Sequence, residues 1–160
     1  IISNLPFNIS SELVIKWCKI QNSYNCIDNM VLMFQKELAE RIVAKKDTRK
    51  FGRLSILCNA FFSIKKKLLV SKNDFFPIPK VDAMVLNFIP HKINKIKKNN
   101  FEKLEKITKI FFNERRKKNK KKIIKNFSAY QIKKNNLEKF YNLRAENIDK
   151  EIFFDLSNIL

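Results

Sequence analysis

The chain has 160 residues, 45% of them hydrophobic, and a formal net charge of +19. This apolar content is typical of a globular protein, and no run approaches the roughly 18 apolar residues of a membrane-spanning helix. With one glycine, Gly52, and one histidine, His91, the sequence holds no glycine-rich nucleotide loop and argues against zinc sites and histidine-dependent nucleophilic catalysis.

The first residues, Ile1-Ile2-Ser3, predict the end of a buried strand. Because the sequence begins inside an apparent strand and without Met, we expect it to be a fragment that lacks its N-terminal part.

The tetrapeptide Asn4-Leu5-Pro6-Phe7 follows this strand directly. An enzyme that methylates an exocyclic amine needs such groups. The Asn4 side-chain carbonyl and a backbone carbonyl near Leu5-Pro6 can accept the two N–H bonds of the amine, which orients its lone pair. Pro6 holds this backbone rigid, and Phe7 offers a face on which an extruded base can stack. The alternative is a strand that ends in a proline turn, with Phe7 in the core.

Helical and strand patterns alternate over the next eighty residues. Ser10 or Ser11 can cap the first helix. The continuous apolar run Met30–Phe34 is typical of a strand buried on both faces. The predicted elements are a helix to about Gln21, the strand 30–34, helices 36–44 and 54–62, and strands 65–70 and 84–89. This order predicts the second half of an α/β sheet domain.

Between the last two strands, a loop fixed by prolines carries the aromatic pair Phe75-Phe76. His91 follows the second of these strands and is expected to be solvated.

Only helical patterns follow the polar residues 91–100. We predict helices over 101–112, 129–141 and 151–160, with a basic stretch between the first two. The predicted organisation is therefore an α/β domain at 1–90, a linker at 91–100 and a small helical domain at 101–160.

Positive charge is concentrated in this second part. Residues 92–140 contain 18 Lys and Arg against 4 Glu, which gives +14 of the net charge of +19. The densest segment is Arg115–Lys122, next to apolar residues that can pack one face while the other binds phosphate. Such a one-sided basic block indicates a polyanion partner. The alternative is a solvated helix face.

Six segments resemble one known family in order and spacing. They are Asn4-Leu-Pro-Phe7-Asn-Ile-Ser10, Phe34-Gln-Lys-Glu37 with Glu40-Arg41, Gly52-Arg-Leu-Ser55, Phe75-x-Pro-x-Pro-Lys-Val-Asp82, Phe112-Asn-Glu-Arg-Arg-Lys117 and Arg144-Ala-Glu-Asn147. Together they resemble the bacterial small-subunit ribosomal RNA adenine N6-dimethyltransferases. Phe7 stands where many members have Tyr, which keeps the stacking face and loses a hydroxyl.

The resemblance implies the C-terminal part of a Rossmann-like methyltransferase domain that uses S-adenosylmethionine, followed by a small all-helical domain. It implies that Asn4 lies near both cofactor and target amine, that the Leu5-Pro6 backbone accepts the amine, and that Phe7 and Phe75 flank the flipped adenine. Arg115, Arg116, Lys117 and Lys118 would contact RNA. The glycine-rich cofactor loop would precede Ile1, so these 160 residues alone are expected to be inactive.

The implied partner is small-subunit rRNA in the 30S pre-ribosomal particle, with no membrane, no metal and a monomeric protein. Three cysteines without Cys-x-x-Cys spacing indicate reduced thiols and a cytoplasmic location, although an organellar relative is an alternative. Two other functions stay open: a resistance-type methyltransferase acting on large-subunit rRNA, and a non-catalytic ribosome-assembly or transcription factor.

Overall fold

The computed structural model describes residues 1–159. Its strands are β1 (Ile2–Asn4), β2 (Met30–Gln35), β3 (Phe62–Val70) and β4 (Ala83–Pro90). Its α-helices are α1 (Ser10–Tyr24), α2 (Lys36–Ile42), α3 (Arg53–Asn59), α4 (Phe101–Asn113), α5 (Lys120–Asn126), α6 (Ala129–Lys134) and α7 (Lys150–Ile159). Short 3₁₀ helices lie at Lys72–Asp74, Leu137–Phe140 and Ala145–Asn147.

The strands form one sheet in the order β1-β2-β4-β3. β1 and β2 are parallel, and β4 is antiparallel to both β2 and β3. β1 and β2 therefore end at the same end of the sheet, where β3 also ends and β4 begins. We call this the Asn4 end, because Asn4 is the last residue of β1. The predicted α/β class is confirmed.

The prediction of a buried first strand is wrong for the described residues. Ile1 is 52% exposed and Ile2 is 87% exposed. The reason is position: β1 is the edge strand of the sheet and pairs only with β2.

Two local predictions near β2 and α1 also need correction. Met30, Leu32 and Phe34 are fully buried, but the alternate residues of β2 are half-buried, so only one face of this strand is deep in the core. Ser10 does not cap α1, since its hydroxyl donates to the Phe7 carbonyl at 3.1 Å instead. Ser10 thereby fixes the turn after Pro6 rather than the helix terminus.

One hydrophobic core runs through both halves of the chain. The ring of Phe61, which precedes β3, packs 6.0 Å from that of Phe101 at the start of α4. The ring of Phe51 lies 6.2 Å from that of Phe112. The helices therefore pack directly on the α/β part, while the division at residues 91–100 stays a prediction.

His91 is half-buried rather than solvated. Its Nε2 lies 3.0 Å from the Asn59 carbonyl oxygen, and its backbone N–H donates to the Phe61 carbonyl. Burial lowers the pKa of His91, and the nearby ammonium groups of Lys95 and Lys150 lower it further, against the Asn59 contact. His91 therefore links the segment after β4 to the end of α3.

Candidate active site and basic surface

Two segments with motif residues meet at the Asn4 end of the sheet. Residues 5–9 connect β1 to α1, and residues 71–82 connect β3 to β4. In the sheet, Asn4 is paired with Met33 of β2, Met33 with Val85 of β4, and Val70 with Ala83 across β3 and β4. The parallel and antiparallel pairings thus bring both connections, and the start of α2, to one end of the sheet.

The polar groups predicted to bind an amine are available at this end. The Asn4 side chain is exposed and makes no hydrogen bond within residues 1–159. The Pro6 carbonyl accepts the Ile9 N–H at 3.3 Å. The Leu5 carbonyl accepts no hydrogen bond from the described residues, while its side chain is buried and anchors the segment. Of the two backbone acceptors considered near Leu5-Pro6, the geometry therefore favours the Leu5 carbonyl.

Phe7 and Phe75 are both half-buried, and Phe76 is fully exposed. Neither Phe7 nor Phe75 belongs to the buried core or to the half-buried residues packed against it. This placement argues against the alternative in which Phe7 is a core residue. The role of both rings toward a base stays a prediction.

Asp82 links the connection between β3 and β4, which contains Phe75, to the start of α2. Its Oδ1 accepts the Lys72 N–H at 3.1 Å, and its backbone carbonyl accepts the Lys36 N–H at 2.9 Å. Its Oδ2 also lies 3.6 Å from Lys36 Nζ. Sequence reasoning gave Asp82 no role, although it ends the Phe75 motif. A cavity of about 340 Å³ opens here, lined by Gln35, Lys36, Glu37, Glu40, Lys72, Lys80, Val81 and Asp82.

The four predicted RNA-binding residues differ in the contacts they make. Arg116 and Lys118 are exposed and have no ion-pair partner among residues 1–159, and Lys117 pairs with the neighbouring Glu114 at 2.5 Å. Arg115, in contrast, donates from Nε to Glu146 at 2.6 Å and from Nη2 to the Thr48 carbonyl at 3.4 Å. Binding of RNA by all four stays a prediction.

Lys122 lies in the same run but points inward. It is 8% exposed, and its Nζ donates to the carbonyls of Phe111 and Glu114 at 2.5 and 3.0 Å. The Phe111 carbonyl belongs to the last turn of α4, and Glu114 directly follows this helix. Burial lowers the pKa of Lys122. The lysine run is therefore not uniformly available to a ligand.

Residues 1–159 contain no group of three or more His, Cys, Asp or Glu arranged to hold a metal ion. Within the same range, no helix has the length and apolar character needed to cross a membrane.

Comparison with known proteins shows which family and which relatives this chain resembles. The sequence model of the ribosomal RNA adenine dimethylase family matches residues 1–160. The protein named ribosomal RNA small subunit methyltransferase A from Pelagibacter ubique is 41% identical over 159 residues, which cover 98% of this chain and 59% of that protein. Its namesake from Borreliella burgdorferi is 38% identical over 162 residues, which cover 100% of this chain and 55% of that protein.

Two solved structures extend the likeness to the fold. A dimethyladenosine transferase from Plasmodium falciparum superimposes with a TM-score of 0.81 at 26% identity, covering 97% of this chain and 64% of that one. The 23S rRNA methyltransferase ErmE gives a TM-score of 0.66 at 17% identity, covering 98% and 63%, which is a likeness of fold alone. The chain thus spans a little over half the length of the curated relatives it matches.

Proposed function

This chain belongs to the ribosomal RNA adenine dimethylase family, and from that membership we propose that the protein carrying it dimethylates N6 of adjacent adenines near the 3′ end of small-subunit rRNA. The observation that supports this most directly is the pair of free acceptors at the Asn4 end: the exposed Asn4 side chain and the unpaired Leu5 carbonyl. The small-subunit assignment rests on the relatives' names and their identity of 38–41% with this chain.

The proposed role of these residues is to orient the target amine. The lone pair of an adenine N6 amine is delocalised into the ring, so the nitrogen is a weak nucleophile. When its two N–H bonds donate to Asn4 Oδ1 and the Leu5 carbonyl, the pyramidal form of the amine is favoured. Acceptors fixed in advance lower the barrier because they need no reorganisation during the reaction. Pro6 fixes its own φ and restricts Leu5 to extended geometry, which holds the acceptors in place.

S-adenosylmethionine is the proposed cofactor and supplies an activated methyl group when bound. Within this chain Asn4 is the residue that fits it, because its uncharged side chain is free and projects from the end of a parallel strand. Gly52, the one glycine of the sequence, lies at the N-terminus of α3, where its N–H donates to Ser55 Oγ at 2.9 Å. It therefore contributes nothing to a cofactor loop at the Asn4 end.

The product side needs no strong base. The N6 nitrogen that gains a methyl group would release its proton to water, so no residue of this chain would have to act as a strong base. This is consistent with an Asn4 end that carries amide and carbonyl acceptors rather than a histidine.

The basic surface, formed by Arg116, Lys117 and Lys118, is the proposed rRNA contact. Arg116 and Lys118 are exposed and unpaired within the described range, so they can contact phosphate without breaking a protein contact. Phosphate contacts of this kind position a nucleic acid without reading its sequence. We also propose a monomeric, cytoplasmic protein that acts on the 30S pre-ribosomal particle.

Methylation by the full-length protein tests this function. With labelled S-adenosylmethionine and 30S subunits from a strain that lacks this modification, we expect label in two adjacent adenines near the 3′ end of the small-subunit rRNA. The matched control substrate is the 50S subunit. Label in 50S rRNA instead would support the resistance-type alternative. Binding to 30S without label in either rRNA would support a non-catalytic factor.

A further inference from the structure

Three segments that are distant in the sequence meet around Arg115. They are the turn at residues 46–48 between α2 and α3, the second residue after α4, and the 3₁₀ helix Ala145–Asn147 before α7. Besides the contacts of Arg115 itself, the Asp47 N–H donates to the Glu146 carbonyl at 3.0 Å, and Asn147 Nδ2 donates to Asp47 Oδ1 at 2.9 Å. Lys46 pairs with Asp149 at 3.0 Å. These bonds connect the helical half to the α/β half.

The Arg115–Glu146 pair is the least exposed part of this junction. The two side chains are 35% and 23% exposed, the lowest combination among the seven ion pairs found within residues 1–159. Partly buried pairs are screened less by salt than exposed ones. A guanidinium that donates both to a carboxylate and to a backbone carbonyl is also held in one orientation, because its planar fork fixes the donor directions.

Arg115 also lines a cleft together with residues of α2. The cleft has a volume of about 480 Å³ and is bordered by Glu37, Arg41, Arg49, Lys50 and Arg115. Glu37 and Arg41 lie on α2, which begins directly after β2 at the Asn4 end. The residue next to Arg115 in the chain is the exposed Arg116. Arg115 therefore borders α2, which begins at the Asn4 end, and directly precedes Arg116 in the chain.

From this geometry we infer that Arg115 and Glu146 form a latch that holds the basic surface of Arg116–Lys118 in a fixed position relative to the Asn4 end. Arg115 is then a positioning residue and not a phosphate ligand, unlike its neighbour Arg116. The inference rests on the proposed function, because the position of the basic surface matters only if rRNA bound there delivers an adenine to Asn4.

The two roles make opposite predictions for Glu146. If Arg115 bound phosphate, Glu146 would compete with the RNA, so Glu146→Gln would leave rRNA binding unchanged or strengthen it. If the pair is a latch, removing either partner loosens the same junction. RNA would still bind the basic surface, but its adenine would reach the Asn4 end less often. The turnover number would then fall while the affinity for rRNA changed little.

The experiment uses the full-length protein with Arg115→Gln, Glu146→Gln and the double variant, and 30S subunits as substrate. For the latch we expect all three variants to lower kcat by the same factor, of about tenfold, because either substitution alone already breaks the pair and the effects of two contacting residues are not additive. We expect the dissociation constant for rRNA, and its dependence on salt, to stay at the parent values.

Arg116→Gln is the matched control, because it removes the same charge one residue away. A lost phosphate contact weakens rRNA binding and lowers the slope of log affinity against log salt by about 0.7–0.9. The latch is wrong if Arg115→Gln weakens rRNA binding and lowers the salt slope as Arg116→Gln does, while Glu146→Gln changes neither kcat nor rRNA affinity.

Failure of the proposed function is distinguishable from failure of the latch. If the parent protein neither binds nor methylates rRNA, the proposed function fails, and the latch is then decided by stability alone. A thermodynamic cycle of the same three variants must show that the second glutamine adds little to the loss of unfolding free energy caused by the first. Additive losses would overturn the latch in that case.

Discussion

Replacing Asn4 with alanine in the full-length protein is expected to slow methyl transfer to rRNA by on the order of 10²-fold or more. The substitution removes an acceptor that is used mainly when the amine becomes nucleophilic, so the loss should appear in kcat. The Asn4 side chain is exposed and makes no hydrogen bond within residues 1–159, so folding stability and rRNA binding should change little. Single-turnover methylation of 30S subunits measures the rate, and thermal unfolding measures stability.

Asn8→Ala is a matched control for this substitution. Asn8 is also an exposed asparagine, four residues further along the same connection between β1 and α1. We expect it to leave the rate near the parent value. A normal methylation rate in the Asn4 variant, or equal losses in both variants, would remove Asn4 from the reaction.

Replacing Phe7 or Phe75 with alanine is expected to lose about 1–3 kcal/mol of base stacking. Both rings are half-buried, and neither belongs to the hydrophobic core, so each can keep one face available to a base. Phe7→Tyr should be nearly silent, because the ring is retained. The measurement is kcat/KM on 30S subunits, corrected for the fraction of each variant that is folded.

Phe76→Ala is the control for Phe75→Ala, because both residues lie in the connection between β3 and β4. The Phe76 ring is fully exposed beside Phe75, so its removal costs little folding stability and tests whether any aromatic ring in this loop will serve. We expect a smaller loss of activity than for Phe75→Ala. If the variants at Phe7 and Phe75 lose stability but keep full activity once folded, the rings are structural and the stacking assignment is wrong.

The sequence by itself determined the class of fold and the elements with strong local signals. The apolar run at 30–34 became β2, and the amphipathic pattern from Phe101 became α4, each within a residue or two of its predicted bounds. The six motif segments pointed to the family that the comparisons later supported. These features are local: a run of apolar residues or a short motif carries its signal in neighbouring positions.

Only the tertiary structure decided which groups are free and which are engaged. Ser10 has a side chain typical of helix caps, yet its hydroxyl donates a hydrogen bond to the Phe7 carbonyl instead. Ile1 and Ile2 are apolar, yet within residues 1–159 both are exposed, because β1 pairs only with β2 there. Whether a polar group is satisfied, or an apolar one covered, depends on segments that are distant in the chain.

The basic segment Arg115–Lys122 shows most clearly the difference between what the sequence determines and what the tertiary structure decides. Arg115, Arg116 and Lys122 are equivalent as charges in the sequence. In the structure, Glu146 holds Arg115, the last turn of α4 holds Lys122, and Arg116 is left exposed. Charge composition is a sum over residues and indicated a polyanion partner, but the partner of each charge is set by long-range packing. The sequence therefore predicted the kind of ligand, and the fold decided which of these cations remain exposed.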